Sequence, residues 1–346
     1  MQRAHLLTAG AAAGLLSLAA SAAPAQPDAV QAWSGGRTAV AWATDRGVVL
    51  ELPEGRRLEL PAPAGSGVDS LTARSGGWAA AGTFRAADGR RRLWIAAAGK
   101  GDAKTLPEPG GQAGTLRQGP VLLAADGHLA GLAWLEGDGQ RALSVRAAPW
   151  KDGRWSRPEL VSGVGSGSQL ALAGAVLADG SWLLAWSAFD GRDDEVVWSR
   201  RAEGRWQRVE RLSPDNDVPD VTPDLLPAPG GALAAWSRFD GSDYRLVVAR
   251  LADGRWGEER TIGEAGSLYP SFGLEAAGPY LLYLTARPRG WALLGLDEAG
   301  TVRSRAAAAS ERAARPALVA GAEGRMGLRW PGAGEEDLIR LEQERP

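Results

Sequence analysis

A tryptophan-anchored motif returns at a nearly fixed interval along this 346-residue chain. Trp186-Ser187-Ala188-Phe189-Asp190-Gly191 leads to Gly204-Arg205-Trp206, and fifty residues later Trp236-Ser237-Arg238-Phe239-Asp240-Gly241 leads to Gly254-Arg255-Trp256. A looser copy runs from Trp134 to Asp152-Gly153-Arg154-Trp155. The same register carried outward reaches Trp42, Gly82, Tyr283 and Trp330, which makes seven units. Units of this size cannot bury their apolar faces alone, so they must stack on one another.

Within a unit, short runs rich in Val, Leu, Ala and Trp alternate with Gly, Asp or Pro turn signals. In the fifth unit the runs are Asp224–Ala228, Ala232–Arg238, Tyr244–Leu251 and Arg255–Ile262, with Gly230-Gly231, Asp240-Gly241 and Asp253-Gly254 between them. Asp-Gly and Gly-Gly between such runs are hairpin signals, because both central residues of the favoured turn take positive φ. Each unit therefore reads as a four-stranded antiparallel meander. Trp182-Leu183-Leu184-Ala185-Trp186 is apolar at consecutive positions, as in a sheet packed between two others. The fold class that follows is all-β, a β-propeller of four-stranded antiparallel blades. Seven blades are expected, the last three-stranded or completed by residues Ala29–Trp33. Six blades, with the weak first unit as closure, are the alternative, and two packed β-sandwiches are a more distant one. Arg303–Arg315, which lacks turn residues, is read as a helical stretch.

Composition narrows the chemistry. The chain carries 39 Lys+Arg against 41 Asp+Glu, so it lacks the positive field that general nucleic-acid or anionic-membrane binding needs. It has no Cys, which excludes disulfides, thiolate metal sites and Cys nucleophiles. Of its two His, His5 lies in the leader described next. His128 follows Asp126-Gly127 and reads as a turn residue, so a His-rich metal site is excluded.

Arg3, an apolar run from Leu6 to Ala20, and Ala20-Ser21-Ala22 before Ala23 have the form of a cleavable export signal. The run is interrupted by Thr8 and Gly10 and is short for a membrane span. Residues 1–22 are expected to be a signal peptide and 23–346 a single propeller domain, periplasmic or secreted, with no transmembrane segment after cleavage.

Val196-Val197-Trp198-Ser199 leading to Glu203-Gly204-Arg205-Trp206, and Val247-Val248-Ala249 leading to Asp253-Gly254-Arg255-Trp256, resemble the Asp-box (BNR) hairpins of sialidase-like propellers. In that family the hairpin joins the third and fourth strands of a blade, away from the active site. The resemblance implies a propeller and, for a true sialidase, three substrate-binding Arg, a Tyr nucleophile with a Glu partner, and an Asp acid/base. Phe84-Arg85-Ala86-Ala87 half resembles the Phe-Arg-Ile-Pro opening of those enzymes. Tyr244, Tyr269, Tyr280 and Tyr283 are the available nucleophiles, and the apolar setting of Tyr280 and Tyr283 makes them core residues. No Gly-x-Ser-x-Gly elbow accompanies the remaining His, and Gly163–Ser168 reads as a turn.

In a meander blade, the turn between strands two and three shares a face with the links between blades. That face gathers Asp190, Asp193, Asp194, Asp240 and Asp243, and the link Ser213-Pro214-Asp215-Asn216-Asp217-Val218-Pro219-Asp220. Asp190 and Asp240 suit turn caps. Asp215, Asn216, Asp217 and Asp220 offer closely spaced oxygen ligands for calcium. Asp190, Arg192, Asp193, Asp240, Asp243 and Tyr244 form the candidate binding surface for a carbohydrate, peptide or protein, with Trp, Arg and Asp supplying stacking and hydrogen bonds. The sequence thus points to an exported, non-catalytic binding or scaffold module, with a sialidase-like extracellular glycoside hydrolase as the alternative.

Overall fold

The computed structural model describes residues 28–34, 37–99, 101–111, 115–137, 143–162, 169–275, 278–310, 312, 314–320, 326–331, 339–340 and 342–344. The leader and the Gly163–Ser168 segment lie outside them. Every regular element among the described residues is a strand.

The strands form a β-propeller. Six sheets are complete antiparallel meanders, spanning residues 30–60, 70–106, 116–160, 169–211, 220–261 and 267–309. Six is thus the number of full four-stranded blades, as in the alternative reading. A seventh, three-stranded sheet (317–340) lies between the sixth and the first. The first unit is a full blade, and Val30–Ser34 is its inner strand, so neither part of the chain's start closes the last blade. In the third to fifth blades the outermost strand is split, as where Arg205–Trp206 and Glu210–Arg211 both pair with Asp194–Ala202. Arg303–Arg315 is not helical. Val302–Ala309 is the fourth strand of blade six, its alanines opposite Gly290–Leu293, and Glu342–Glu344 adds beyond it. A run of Ala carries helix propensity, but pairing along a sheet overrides it here.

Packing explains the continuous apolar runs. In Trp182–Phe189, Leu183 and Ala185 face the cluster shared with blade five, while Trp182, Leu184 and Trp186 face the one shared with blade three. Alternate side chains on one strand thus serve two cores, as the period of a strand requires. The repeated aromatic always packs onto the preceding blade, as Trp134, Trp186, Trp236 and Tyr283 do, and all four are essentially buried. Trp330 continues the pattern onto blade six and Trp42 onto blade seven.

Blade two departs from the repeat by swapping a residue across strands. Gly82 stands at the aromatic position, and its register partner Trp94 fills the space instead, donating its indole N–H to the Gly67 carbonyl at 2.8 Å. A Cβ on Gly82 would lie 2.0 Å from that carbonyl oxygen and 2.7 Å from Trp94 Nε1. Glycine is required there by space.

The Asp-box-like hairpins join third and fourth strands. Glu203-Gly204 and Asp253-Gly254 turn with φ of 52°, 79° and 51°, 75° respectively, both residues in the left-handed region as the two-residue hairpin demands. Asp152-Gly153 repeats the turn in blade three.

Candidate functional site on the loop face

The inner strands of blades three to six each carry a bulge near their start, with Gly119, Ala171, Thr222 and Tyr269 at φ of 57°, 47°, 55° and 54°. Three of these N–H groups are held by hydroxyls of a neighbouring second strand. Gly119 donates to Thr83 Oγ1 at 3.3 Å, Thr222 to Ser187 Oγ at 3.1 Å, and Tyr269 to Ser237 Oγ at 3.2 Å. Left-handed backbone at non-glycine residues costs roughly 1–2 kcal/mol each, so the bulges persist because the surrounding pairing fixes them. They ring one mouth of the axial channel, on the face of the second-to-third-strand turns.

On that face Asp190 and Asp240 occupy matching loops. Asp190 Oδ1 accepts the N–H of Arg192 at 2.9 Å and of Asp193 at 3.4 Å. Asp240 Oδ1 accepts from Ser242 N–H, Ser242 Oγ and Asp243 N–H at 3.0, 2.8 and 2.9 Å, and Oδ2 from Arg245 Nε at 2.6 Å. The N–H of Asp243 first, and then Arg245, hold Asp240 far below the usual carboxylate range. For Asp190 the N–H of Arg192 is the largest influence in the same direction. Both aspartates are the turn caps expected of them.

The acids nearby are compensated by arginine. Arg192 donates to Asp217 at 2.7 Å and Asp215 at 2.6 Å, and Arg211 reaches Asp190 at 2.9 Å, Asp215 at 3.0 Å and Glu195 at 3.3 Å. Asp220 is fully buried, taking Trp236 Nε1 at 2.6 Å, Arg238 Nε at 2.7 Å and Asn216 Nδ2 at 3.0 Å. Asn216 Oδ1 caps Val218 N–H at 2.7 Å. Among the described residues the one trio of acidic ligand atoms within 4.8 Å of one another is Asp190, Glu195 and Asp215, and Arg211 already engages all three. Asp215, Asn216, Asp217 and Asp220 therefore share a link but spend most of their oxygens on protein donors. Asp193 differs. It is buried, and neither carboxylate oxygen has a hydrogen-bond partner among the described residues. Burial, and then Asp190, push its acidity down.

Tryptophan does not supply the stacking surface; it is spent on the cores. The exposed aromatics of this face are Phe189 and Tyr269, 40% and 38% exposed, with Phe239 half-buried beside Tyr244 at 5.3 Å between ring centroids. Tyr244 lies near Tyr269 and Asp194, and its phenol is pushed up, mainly by burial. Asp243 lies 3.5 Å from Arg287 of the next blade. Tyr280 and Tyr283 are core residues, as expected, and His128 is exposed beside its turn.

The sequence reading missed the channel. A cavity of about 1030 Å³ runs along the axis, and Asp224, Asp69, Tyr280 and Arg315 are polar groups of its wall. Asp224 Oδ2 accepts Phe272 N–H at 2.7 Å, yet burial pushes the carboxyl up to about 6. Arg315 faces it and eases that rise, with an Nε that has no hydrogen-bond partner among the described residues. Asp69 is exposed on this wall, and partial loss of hydration pushes its carboxyl up against the opposing hydrogen bond from Thr83 Oγ1, 2.7 Å long. A second hollow of about 590 Å³ joins the channel at Asp69 and is lined by Thr83, Arg85, Arg91 and Gln118. The available signal was Gly119-Pro120, Thr222-Pro223 and Tyr269-Pro270, a proline one residue past each of three bulges, marking where inner strands enter the mouth.

No protein-family model and no curated protein matches this sequence. Among solved structures, a 6-phosphogluconolactonase-like protein of Bacteroides fragilis superposes with a TM-score of 0.58 at 14% identity, covering 90% of this chain and 94% of that one. A protein of unknown function from Dyadobacter fermentans gives 0.53 at 11% identity, over 81% and 92%. TolB from Acinetobacter baumannii gives 0.52 at 14%, over 81% of this chain and 65% of that one. The likeness is one of fold alone. These neighbours are β-propellers of different functions, and the sialidase-like resemblance reaches no further than the propeller.

Proposed function

We propose that the chain is an exported, non-catalytic β-propeller that binds carbohydrate on the loop face of blades four to six. The observation that carries this reading is the pairing of exposed aromatic faces at Phe189 and Tyr269 with capped, ionised aspartates on the same rim. A sugar presents a C–H face that stacks on such rings and hydroxyls that donate to carboxylates. Asp243, whose Oδ1 lies 3.5 Å from Arg287, is the acceptor, Asp190 and Asp240 fix the loops beside it, and Phe239 and Tyr244 extend the platform. Residues 1–22 support export by their pattern alone.

A glycan array with the mature protein, repeated with Phe189→Ala and Tyr269→Ala variants, tests the reading. Retention of defined glycans, weakened at least about tenfold by either change, supports it. Retention of peptides or proteins in place of glycans overturns the ligand class. The hydrolase reading draws on the channel, whose wall carries the carboxyls of Asp69 and Asp224 on different blades; an acid/base pair needs one of two such groups protonated and the other ionised. Turnover in a fluorogenic glycoside panel, abolished by Asp224→Asn, would replace the binding role with a catalytic one.

A further inference from the structure

Asp193 is a charged group of the loop face that the contacts above leave unexplained; its neighbour Asp194 has one oxygen without a hydrogen-bond partner among the described residues, Oδ1, whereas Asp193 has two. It is 8% exposed, and both of its carboxylate oxygens lack a hydrogen-bond partner among the described residues. A buried carboxylate in that state is strongly disfavoured unless a proton or a cation neutralises it. The charges that act on it make matters worse: Asp190, Asp217 and Asp220 are acids, and the cation among them, Arg192, is committed to Asp215 and Asp217. Around this loop the carboxylates of Asp190, Asp193, Glu195, Asp215, Asp217 and Asp220 outnumber the guanidiniums of Arg192, Arg211 and Arg238 six to three.

We propose that Asp193 and Asp217 hold a calcium ion between the 190–193 turn and the 213–220 link. Asp193 brings two unused oxygens. Asp217 gives Oδ1 to Arg192 and is 82% exposed, which leaves its second oxygen available. This moves the expected site within the link: Asp220 is spent on Arg238, Trp236 and Asn216, and Asp215 gives its Oδ1 to both Arg192 and Arg211, whose guanidiniums hold it in the trio with Asp190 and Glu195. Calcium suits the place better than magnesium, because it accepts an irregular shell of oxygens from a loop and a link, whereas magnesium demands a near-ideal octahedron. The inference is independent of the carbohydrate reading.

The test is the melting temperature and titration heat of the full mature chain, after chelation, with calcium or magnesium chloride as the probe. The expected result is a melting temperature that climbs with calcium concentration, and a much weaker response to magnesium. Asp193→Asn should abolish the calcium response while melting, in chelator, at or above the parent, because it removes an unpaired buried charge. Asp217→Asn, at an exposed position that does not threaten folding, should move the calcium midpoint about tenfold upward, the scale of one lost charge-assisted contact. No shift at millimolar calcium, or a response unchanged in both variants, overturns the site. Glycan retention is read separately, so failure here and failure of the binding role remain distinguishable.

Discussion

The indole N–H of Trp236 donates to Asp220 Oδ1 at 2.6 Å, so the residue that anchors blade five onto blade four is also tied to the first residue of its own inner strand. The same oxygen accepts Arg238 Nε, and Arg238 in turn grips Glu259 on the outer side of the blade. Trp186 makes the equivalent bond to Gln169 in blade four. Neutral Gln and ionised Asp thus do one job in two blades, and only the Asp blade needs an arginine.

Asp220→Ala should be costly for that reason. It leaves the Trp236 indole without its acceptor and Arg238 held by Glu259 alone, a loss of about 1–3 kcal/mol for a buried donor left unsatisfied. Asp220→Asn, which keeps an acceptor for the indole, should cost less. Denaturant melts of both variants give the comparison, and equal losses would show that the bond geometry does not matter.

Ala171→Gly should stabilise the protein, against the usual sign for a strand interior. Ala171 holds φ of 47°, where glycine pays no steric cost. The gain should be up to about 1 kcal/mol, reduced by the extra freedom of the unfolded chain. A fall in the denaturation midpoint would mean that the bulge is not strained.

Gly82→Ala should destabilise by about 2–4 kcal/mol, because the new Cβ collides with a backbone carbonyl and pushes Trp94 off Gly67. Exchanging both residues, Gly82→Trp with Trp94→Gly, restores the arrangement of the other blades. The double variant should be more stable than the sum of the single losses allows, which a double-mutant cycle measures.

Asp224 should make the protein less stable as pH rises from 4 to 6. Its carboxyl is raised from 3.8 to about 6 in the folded state, so over that window the unfolded chain releases a proton that the folded one retains. Stability is therefore lost as pH climbs through the window and is constant on either side of it, as far as this group is concerned. The size is on the order of 2 kcal/mol, since channel water screens part of the burial cost. The difference between parent and Asp224→Asn melts isolates this residue from other carboxylates, and a pH-independent difference would rule it out.

Architecture was legible because it is written in repetition. Trp186 and Trp236 are matched positions in sequence and in space, and Asp-Gly pairs marked hairpins since few other residues accept those angles. Compensation between strands was not legible: Gly82 looks like a lost tryptophan until Trp94 is seen across from it. The loop face was half legible. Its aspartates could be sorted by strand order, but Arg192 and Arg211 reach them through side-chain directions that no spacing encodes. Asp224 and Arg315 were invisible because the channel is built by residues 91 positions apart on different blades, and nothing local distinguishes an axial carboxyl from a turn aspartate.

Six of the seven joints between blades are crossed by the chain itself, whereas the first and seventh are fastened only by weak bonds. Ala29 N–H reaches the Arg315 carbonyl at 2.9 Å, Arg315 N–H reaches Asp28 at 2.6 Å, and Leu318 N–H reaches Gln31 at 2.9 Å. Tension applied to the two ends would peel Glu342–Glu344 from blade six and then fall on this seam, so the wheel should part there and open like a clasped bracelet, with its other joints still engaged.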